Sequence, residues 1–135
     1  MTVARLNPEG LIVPPAGLNA QVTVAPVGRI VFVNGQIARD SSGELVGPGD
    51  KRAQAEQCWR NVHTALHAAG ATGADVLNYR MYVVGTEEGD GRMLVDTGKA
   101  VFGVDWPVCG AVYLGVAALG RPEYLVEIEA TAVLA

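Results

Sequence analysis

The stretch that decides the fold is the final strand-like segment, Tyr124-Leu125-Val126-Glu127-Ile128-Glu129-Ala130-Thr131-Ala132-Val133-Leu134. Every second residue from Tyr124 to Leu134 is apolar, whereas the residues between them include two glutamates and a threonine. Because strand side chains alternate between two faces, the apolar face should pack against helices. The mixed face still carries leucine and valine, so we expect it to be covered by another subunit.

The clearest helix lies upstream, between Asp50 and Gly70. Asp50 is a favourable N-cap residue, and Gly70 is a typical C-terminal stop. Between them, the apolar residues recur with helical spacing at Ala55, Cys58, Val62, Ala65, Leu66 and Ala69. A second, weaker helix is predicted over residues 92–102, interrupted by a glycine at position 98.

The remaining strands complete the expected topology. Residues 1–36 have β-strand character, and residues 77–84 and 111–119 are further strands rich in β-branched and aromatic side chains. The turn at 85–91 should be exposed and acidic, and residues 120–123 should form a hairpin loop before the last strand. The predicted fold is therefore α+β, in the order β-β-β-α-β-α-β-β. It should form one domain over residues 1–135, with a six-stranded mixed sheet and two helices on one face.

Composition excludes several classes of protein. The chain has 135 residues, of which half are hydrophobic, and a net charge of −4. This acidic balance argues against nucleic acid as a partner and against an anionic membrane surface. No apolar run approaches the length of a membrane span, and the N-terminus lacks the apolar core of a signal peptide. Two cysteines make no disulfide framework, so we expect a cytoplasmic protein.

The chain resembles the Rid family of reactive-intermediate deaminases, also called the YjgF family, along nearly its full length. Each matching stretch is weak alone, but together they occur in the family's order and spacing. The stretches are Val31-Phe32-Val33-Asn34-Gly35-Gln36-Ile37; Gly43-Glu44-Leu45-Val46 with Ala53-Gln54-Ala55-Glu56-Gln57 and Arg60-Asn61-Val62; Ala68-Ala69-Gly70-Ala71 with Asp75-Val76-Leu77 and Tyr82-Val83-Val84; and Gly115-Val116-Ala117-Ala118-Leu119 with Leu125-Val126-Glu127-Ile128-Glu129-Ala130-Thr131-Ala132.

This resemblance implies a chorismate-mutase-like fold and a homotrimer in which three sheets form a central barrel. It also implies small-molecule pockets between subunits, where reactive enamines and imines are hydrolysed to a 2-oxo acid and ammonia without a metal or a cofactor. By the same resemblance, Glu127 handles the attacking water, and Gly35 and Gln36 belong to a bend that holds the ligand. The alternatives are that Glu127 is a structural carboxylate and that Asn34-Gly35 is only a turn.

The sequence departs from the family at the arginine that anchors the substrate carboxylate. Within Trp106-Pro107-Val108-Cys109-Gly110-Ala111-Val112-Tyr113, either Cys109 or Ala111 takes the arginine position. Neither can form a bidentate fork on a carboxylate. Cys109, Ala111 and Tyr113 are nevertheless predicted to line the pocket, together with Asn19 at the family's N-terminal pocket position. The substrate class should therefore differ, unless the protein is a non-catalytic binding or interaction protein.

Two further features leave alternatives open. Arg80 either replaces the missing anchor or pairs with an acid such as Glu129. His63 and His67 have the i, i+4 spacing of a zinc helix, but Thr64 stands where a metalloprotease carries its glutamate. With no third ligand evident in the sequence, we interpret the two histidines as a solvated helix flank and predict no metal site.

Overall fold

The computed structural model describes residues 2–135 and contains two helices and six strands in the predicted order. In chain order, the elements are β1 (Ala4–Leu6), β2 (Val22–Val24), β3 (Arg29–Gln36), α1 (Lys51–Ala68), β4 (Val76–Val84), α2 (Asp90–Phe102), β5 (Gly110–Val116) and β6 (Val126–Leu134). Single 3-10 turns at Gly73–Asp75 and Gly103–Asp105 precede β4 and follow α2. The α+β class and the element order are confirmed.

The strands form two sheets rather than one sheet of six. The main sheet has the order β3-β6-β4-β5, and β1 pairs with β2 in a separate two-stranded sheet. β4 runs parallel to β5 and antiparallel to β6, so the main sheet is mixed. The predicted hairpin between the last two strands is wrong, because β4 lies between β5 and β6. The residues joining these two strands therefore cross the end of β4.

Both helices pack on the apolar face of the main sheet. Asp50 caps α1 by accepting a hydrogen bond from the Ala53 amide, as predicted. Where the layers meet, Trp59 makes edge-to-face contacts with Tyr79, Phe102 and Trp106. Gly98 of α2 lies against this cluster, and a β-carbon there would overlap the ring of Trp106. The glycine that weakens the helical pattern is therefore explained by close packing.

The acidic turn differs from its prediction at Asp90. This residue begins α2 and is buried, instead of lying in an exposed loop. Its carboxylate accepts hydrogen bonds from Lys51 Nζ at 2.8 Å and from the Glu87 amide at 2.9 Å. These charge-assisted contacts hold the pKa of Asp90 below its usual range, with Lys51 as the largest cause. The pair joins the starts of α1 and α2.

The opposite face of the main sheet is not covered by any helix. Phe32 and Ile30 project from this face of β3 and are 79% and 61% exposed. They share the face with Glu127 and Glu129, since β3 and β6 pair in register from Phe32 opposite Thr131. We refer to this surface as the open face. None of the helices within residues 2–135 is both long and apolar enough to cross a lipid bilayer.

Candidate functional site

A cleft of about 450 Å³ lies where β3 ends beside the beginning of β6. Its walls come from the end of β3, the segment after it, α1 and the approach to β6. The lining residues are Asn34, Gly35, Gln36, Ile37, Arg39, Asn61, Gly120, Tyr124 and Glu127. The fold thus brings together three of the residues predicted for the pocket: Glu127, Gly35 and Gln36.

A β-bulge shapes the floor of this cleft. The pairing of β3 with β6 shifts between Val33, opposite Ala130, and Gln36, opposite Ile128, so β3 carries one extra residue. Gln36 turns back on the bulge and donates from Nε2 to the Asn34 carbonyl at 2.8 Å. The Asn34-Gly35 dipeptide is therefore neither a hairpin turn nor a free loop. It is an irregularity inside a strand, directed at the neighbouring strand.

Gly35 lets the carboxylate of Glu127 lie close against its backbone. A β-carbon at position 35 would lie 2.5 Å from Oε1 of Glu127 and 3.0 Å from its Cδ. Any larger residue would displace the carboxylate or the bulge. Gly35 has no positive φ angle, so its role arises from close approach and not from a left-handed backbone.

Glu127 is half-buried on the open face, opposite Tyr82 of β4. The adjacent carboxylate on that face, Glu129, accepts a hydrogen bond from Arg80 at 3.0 Å and another from the Tyr82 hydroxyl at 3.1 Å. Arg80 therefore forms an ion pair with Glu129, which is the second of the two alternatives predicted for Arg80. Within residues 2–135, no ion pair reaches Glu127. Its carboxylate lies free beside the cleft.

Arg39, the cationic residue of this cleft, was not predicted from the sequence. Its Nε donates to the Tyr124 hydroxyl at 2.7 Å, and its Nη1 donates to the Gly43 carbonyl at 2.7 Å. Nη2 lies 3.5 Å from a carboxylate oxygen of the half-exposed Glu123. The hydrogen bond with Tyr124 is the main cause that raises the pKa of Arg39. A guanidinium thus lines the same cleft as Glu127.

The backbone that carries Arg39 is fixed from α1. Asn61 donates from Nδ2 to the Ile37 and Arg39 carbonyls at 3.0 and 2.9 Å, and its own side-chain oxygen accepts from Gln57 Nε2 at 2.8 Å. Beyond Arg39, the chain turns at Asp40, whose Oδ1 accepts hydrogen bonds from the Ser42 and Glu44 amides. Arg39 therefore lies in a loop whose backbone is held in place by hydrogen bonds from α1.

The other four predicted pocket residues lie outside this cleft. Cys109 does not line this cleft, because its side chain is fully buried in the core of the subunit. Burial raises the pKa of Cys109 to about 12, so the thiol stays protonated at neutral pH. Ala111 packs against the core, and Tyr113 lies on the helix side of the edge strand β5 near Gly91. Asn19 lies near the start of β5, as the Ala20 amide donates to the Cys109 carbonyl.

This arrangement combines a free carboxylate with a guanidinium in a cleft large enough for a small molecule. A carboxylate can accept a proton from water, and a guanidinium can bind an anionic group through paired hydrogen bonds. The fold and the cleft together define a small α+β protein with a candidate ligand site at a bulged strand end.

Comparison with known proteins identifies the family. The family model described as "Endoribonuclease L-PSP" matches residues 13–134. The chain therefore belongs to this family, whose solved members include Rid and YjgF proteins. A curated relative, a RutC family protein of Haemophilus influenzae, is 34% identical over 70 residues, or 51% of this chain. The match covers only about half of that relative's length (52%).

Solved structures extend the likeness over the whole chain. The Rid-family protein YyfB from Yersinia pestis, of unknown function, is 36% identical, with a TM-score of 0.86 and coverage of 99% of this chain and 100% of its own. TdcF from E. coli, crystallised with bound serine, is 25% identical, with a TM-score of 0.68 and coverage of 100% and 99%. The YjgF gene product of E. coli is 28% identical, with a TM-score of 0.66 and coverage of 88% and 90%.

Proposed function

We propose that this protein hydrolyses a small imine or enamine that carries a carboxylate, in the cleft between Gly35 and Arg39. The observation that carries the proposal is the free carboxylate of Glu127 in the same cleft as the Arg39 guanidinium. The serine in the TdcF structure supports it, because serine is itself a small carboxylate. Arg39 takes the role of the anchor through the Nη1 and Nη2 hydrogens that Gly43 leaves unused, since the family resemblance assigns the anchor position to Cys109 or Ala111.

The reaction follows from the two charges. Arg39 binds the substrate carboxylate, which orients the C=N bond toward Glu127. Glu127 accepts a proton as water adds to the carbon of the protonated imine, and the C=N π electrons move to nitrogen. Nitrogen then takes a proton and leaves as ammonia while the hydroxyl loses its proton, which produces a 2-oxo acid. No cofactor takes part in these steps.

The active assembly in this proposal is a homotrimer whose subunits meet through the open face. Exposed Phe32 and Ile30 on an otherwise regular sheet support association, since apolar surface of this kind is costly in water. In this assembly, we expect Ala111, Tyr113 and Asn19 to contact the ligand from a neighbouring subunit. The two free thiols fit a reducing cytoplasm.

The test generates 2-iminopropanoate in situ from an amino acid and follows release of pyruvate and ammonia. We expect the purified protein to accelerate hydrolysis in proportion to its concentration. Light scattering on the same sample should give three times the chain mass of 14.1 kDa. Absence of acceleration for carboxylate-bearing imines would contradict the proposed activity.

A second candidate is a non-catalytic ligand-binding protein. It is favoured by the family resemblance, which places Cys109 or Ala111 at the arginine position, and by the burial of Cys109 in the core. Titration calorimetry with serine and pyruvate distinguishes the candidates. Binding that requires Arg39 but is accompanied by no imine hydrolysis would support the binding protein.

A further inference from the structure

Far from the open face, the fold brings a third potential ligand to the two histidines of α1. One ligand atom from each of His63, His67 and Asp105 lies within 4.8 Å of the other two. Asp105 belongs to the 3-10 turn after α2, 38 residues or more along the chain, so the sequence alone did not reveal it. The two histidines are the only ones in the protein.

Each residue of this cluster makes a contact that leaves one of its metal-ligating atoms available. Asp105 accepts a hydrogen bond from the Gly73 amide through Oδ2 at 2.8 Å, and its other carboxylate oxygen remains. Gly73 packs so closely on the Asp105 carbonyl that a β-carbon would overlap it. The ring of Phe102 lies edge-on to His63 with centroids 5.0 Å apart. The histidine rings themselves lie 4.3 Å apart.

We propose that His63, His67 and Asp105 form a binding site for a divalent transition-metal ion of the zinc type. Tetrahedral zinc with bonds of about 2.0–2.2 Å requires ligand atoms separated by roughly 3.3–3.6 Å, so the cluster needs to contract by little more than 1 Å. The exposed side chain of His67 can rotate toward the other two ligands. Three protein ligands leave a fourth position for water or an anion.

The ligand chemistry selects the metal. Two imidazoles and one carboxylate suit zinc, cobalt, nickel or copper, whereas magnesium and calcium prefer sites made only of oxygen ligands. The Gly73 amide on Asp105 is the type of supporting contact that orients a metal-bound carboxylate. The site lies on the helix layer, so occupancy should not depend on Glu127 or on assembly through the open face.

The test is equilibrium dialysis of tag-free protein against Zn²⁺, with metal analysis and thermal unfolding. We expect one Zn²⁺ per chain at micromolar concentration, no displacement by millimolar Mg²⁺ or Ca²⁺, and a higher Tm with Zn²⁺. His67→Ala and Asp105→Asn should each weaken binding at least about tenfold. Asn at position 105 can still accept the Gly73 hydrogen bond, so this change should preserve the turn.

The matched control is Asp96→Asn, which removes an exposed carboxylate of α2 that forms only a 4.0 Å pair with Arg92. Its zinc affinity should equal that of the wild type. Less than stoichiometric binding by the wild type would overturn the site. Equal affinity in wild type and either His67→Ala or Asp105→Asn would also overturn it, because all three ligands are required.

Discussion

The α-carbon of Gly35 lies against the carboxylate of Glu127, so that a β-carbon at this position would approach Oε1 to 2.5 Å. The bulge in β3 creates this contact, since the extra residue moves the backbone toward β6. The contact places the carboxylate directly beside the glycine backbone. It explains why a glycine without a positive φ angle occupies a strand interior.

Gly35→Ala should therefore impair the reaction more than the fold. The added methyl group pushes the Glu127 carboxylate from its position, and we expect imine hydrolysis to fall at least about tenfold. Gly91→Ala is the matched control, because its β-carbon would meet only the Tyr113 ring at an ordinary 4.0 Å. Steady-state kinetics and thermal unfolding of both variants measure the effect. Full activity of Gly35→Ala would show that the close approach has no catalytic role.

Arg39→Gln should weaken binding of carboxylate substrates. Loss of a charge-assisted hydrogen bond costs about 1.5–3 kcal/mol, which corresponds to a rise in KM of roughly 10- to 100-fold. Arg39→Lys keeps the positive charge but loses the paired donors of the guanidinium. Its KM should therefore lie between those of the wild type and Arg39→Gln. Arg92→Gln, which changes an exposed arginine of α2, should behave as the wild type.

A substrate analogue in which the carboxylate is replaced by an amide separates anchoring from folding. If Arg39 binds the carboxylate, Arg39→Gln should process the analogue as the wild type does. An equal loss for both substrates would instead indicate that the substitution damages the loop held by Asn61.

Both cysteines should be unreactive in the native protein. Burial raises the pKa of Cys109 to about 12 and raises that of Cys58 even further, so neither forms a thiolate at pH 8. Iodoacetamide should label no thiol in the folded protein and two after unfolding, as measured by mass spectrometry. Rapid labelling of native Cys109 would restore it as a residue that lines an accessible pocket.

Asp90→Asn should destabilise the protein at neutral pH by about 1.5–3 kcal/mol, the range for a charge-assisted hydrogen bond. Because the folded-state pKa of Asp90 is lowered, its contribution is present above the ordinary aspartate pKa and is lost as pH falls through the folded value. The difference between wild type and Asp90→Asn in the free energy of unfolding, measured with urea, should thus be smaller at pH 3 than at pH 7. Asp96→Asn, with its exposed pair, should change stability by less than about 0.5 kcal/mol at either pH. A difference for Asp90→Asn that is as large at pH 3 as at pH 7 would exclude the ion pair as its cause.

The parts of the fold that depend on local sequence were predictable. The capped helix from Asp50 and the two faces of β6 follow from side-chain type and spacing. The partition into two sheets was not predictable, because strand order depends on pairing between distant segments. The burial of Cys109 likewise depends on how the layers pack.

The candidate site was also predictable only where it depends on local sequence. Glu127 and Gly35 were found through the family's local motifs, and the structure brings them together. Arg39 was missed because its partner Tyr124 lies 85 residues away in the sequence. Asp105 was missed for the same reason, since only the packing of its turn against Gly73 brings it to the histidines of α1.

The most direct test of the proposed function is the rate of 2-iminopropanoate hydrolysis by Glu127→Gln. Glutamine keeps the shape of the side chain but cannot accept the proton from water, and general-base catalysis contributes about 10²- to 10⁴-fold. We predict a fall in kcat of at least roughly 100-fold, with an unchanged KM and an unchanged oligomer mass. The control Glu56→Gln removes an exposed carboxylate that pairs with Arg60 on α1. This variant should retain full activity. Wild-type kcat in Glu127→Gln would contradict the assignment of Glu127 as the base.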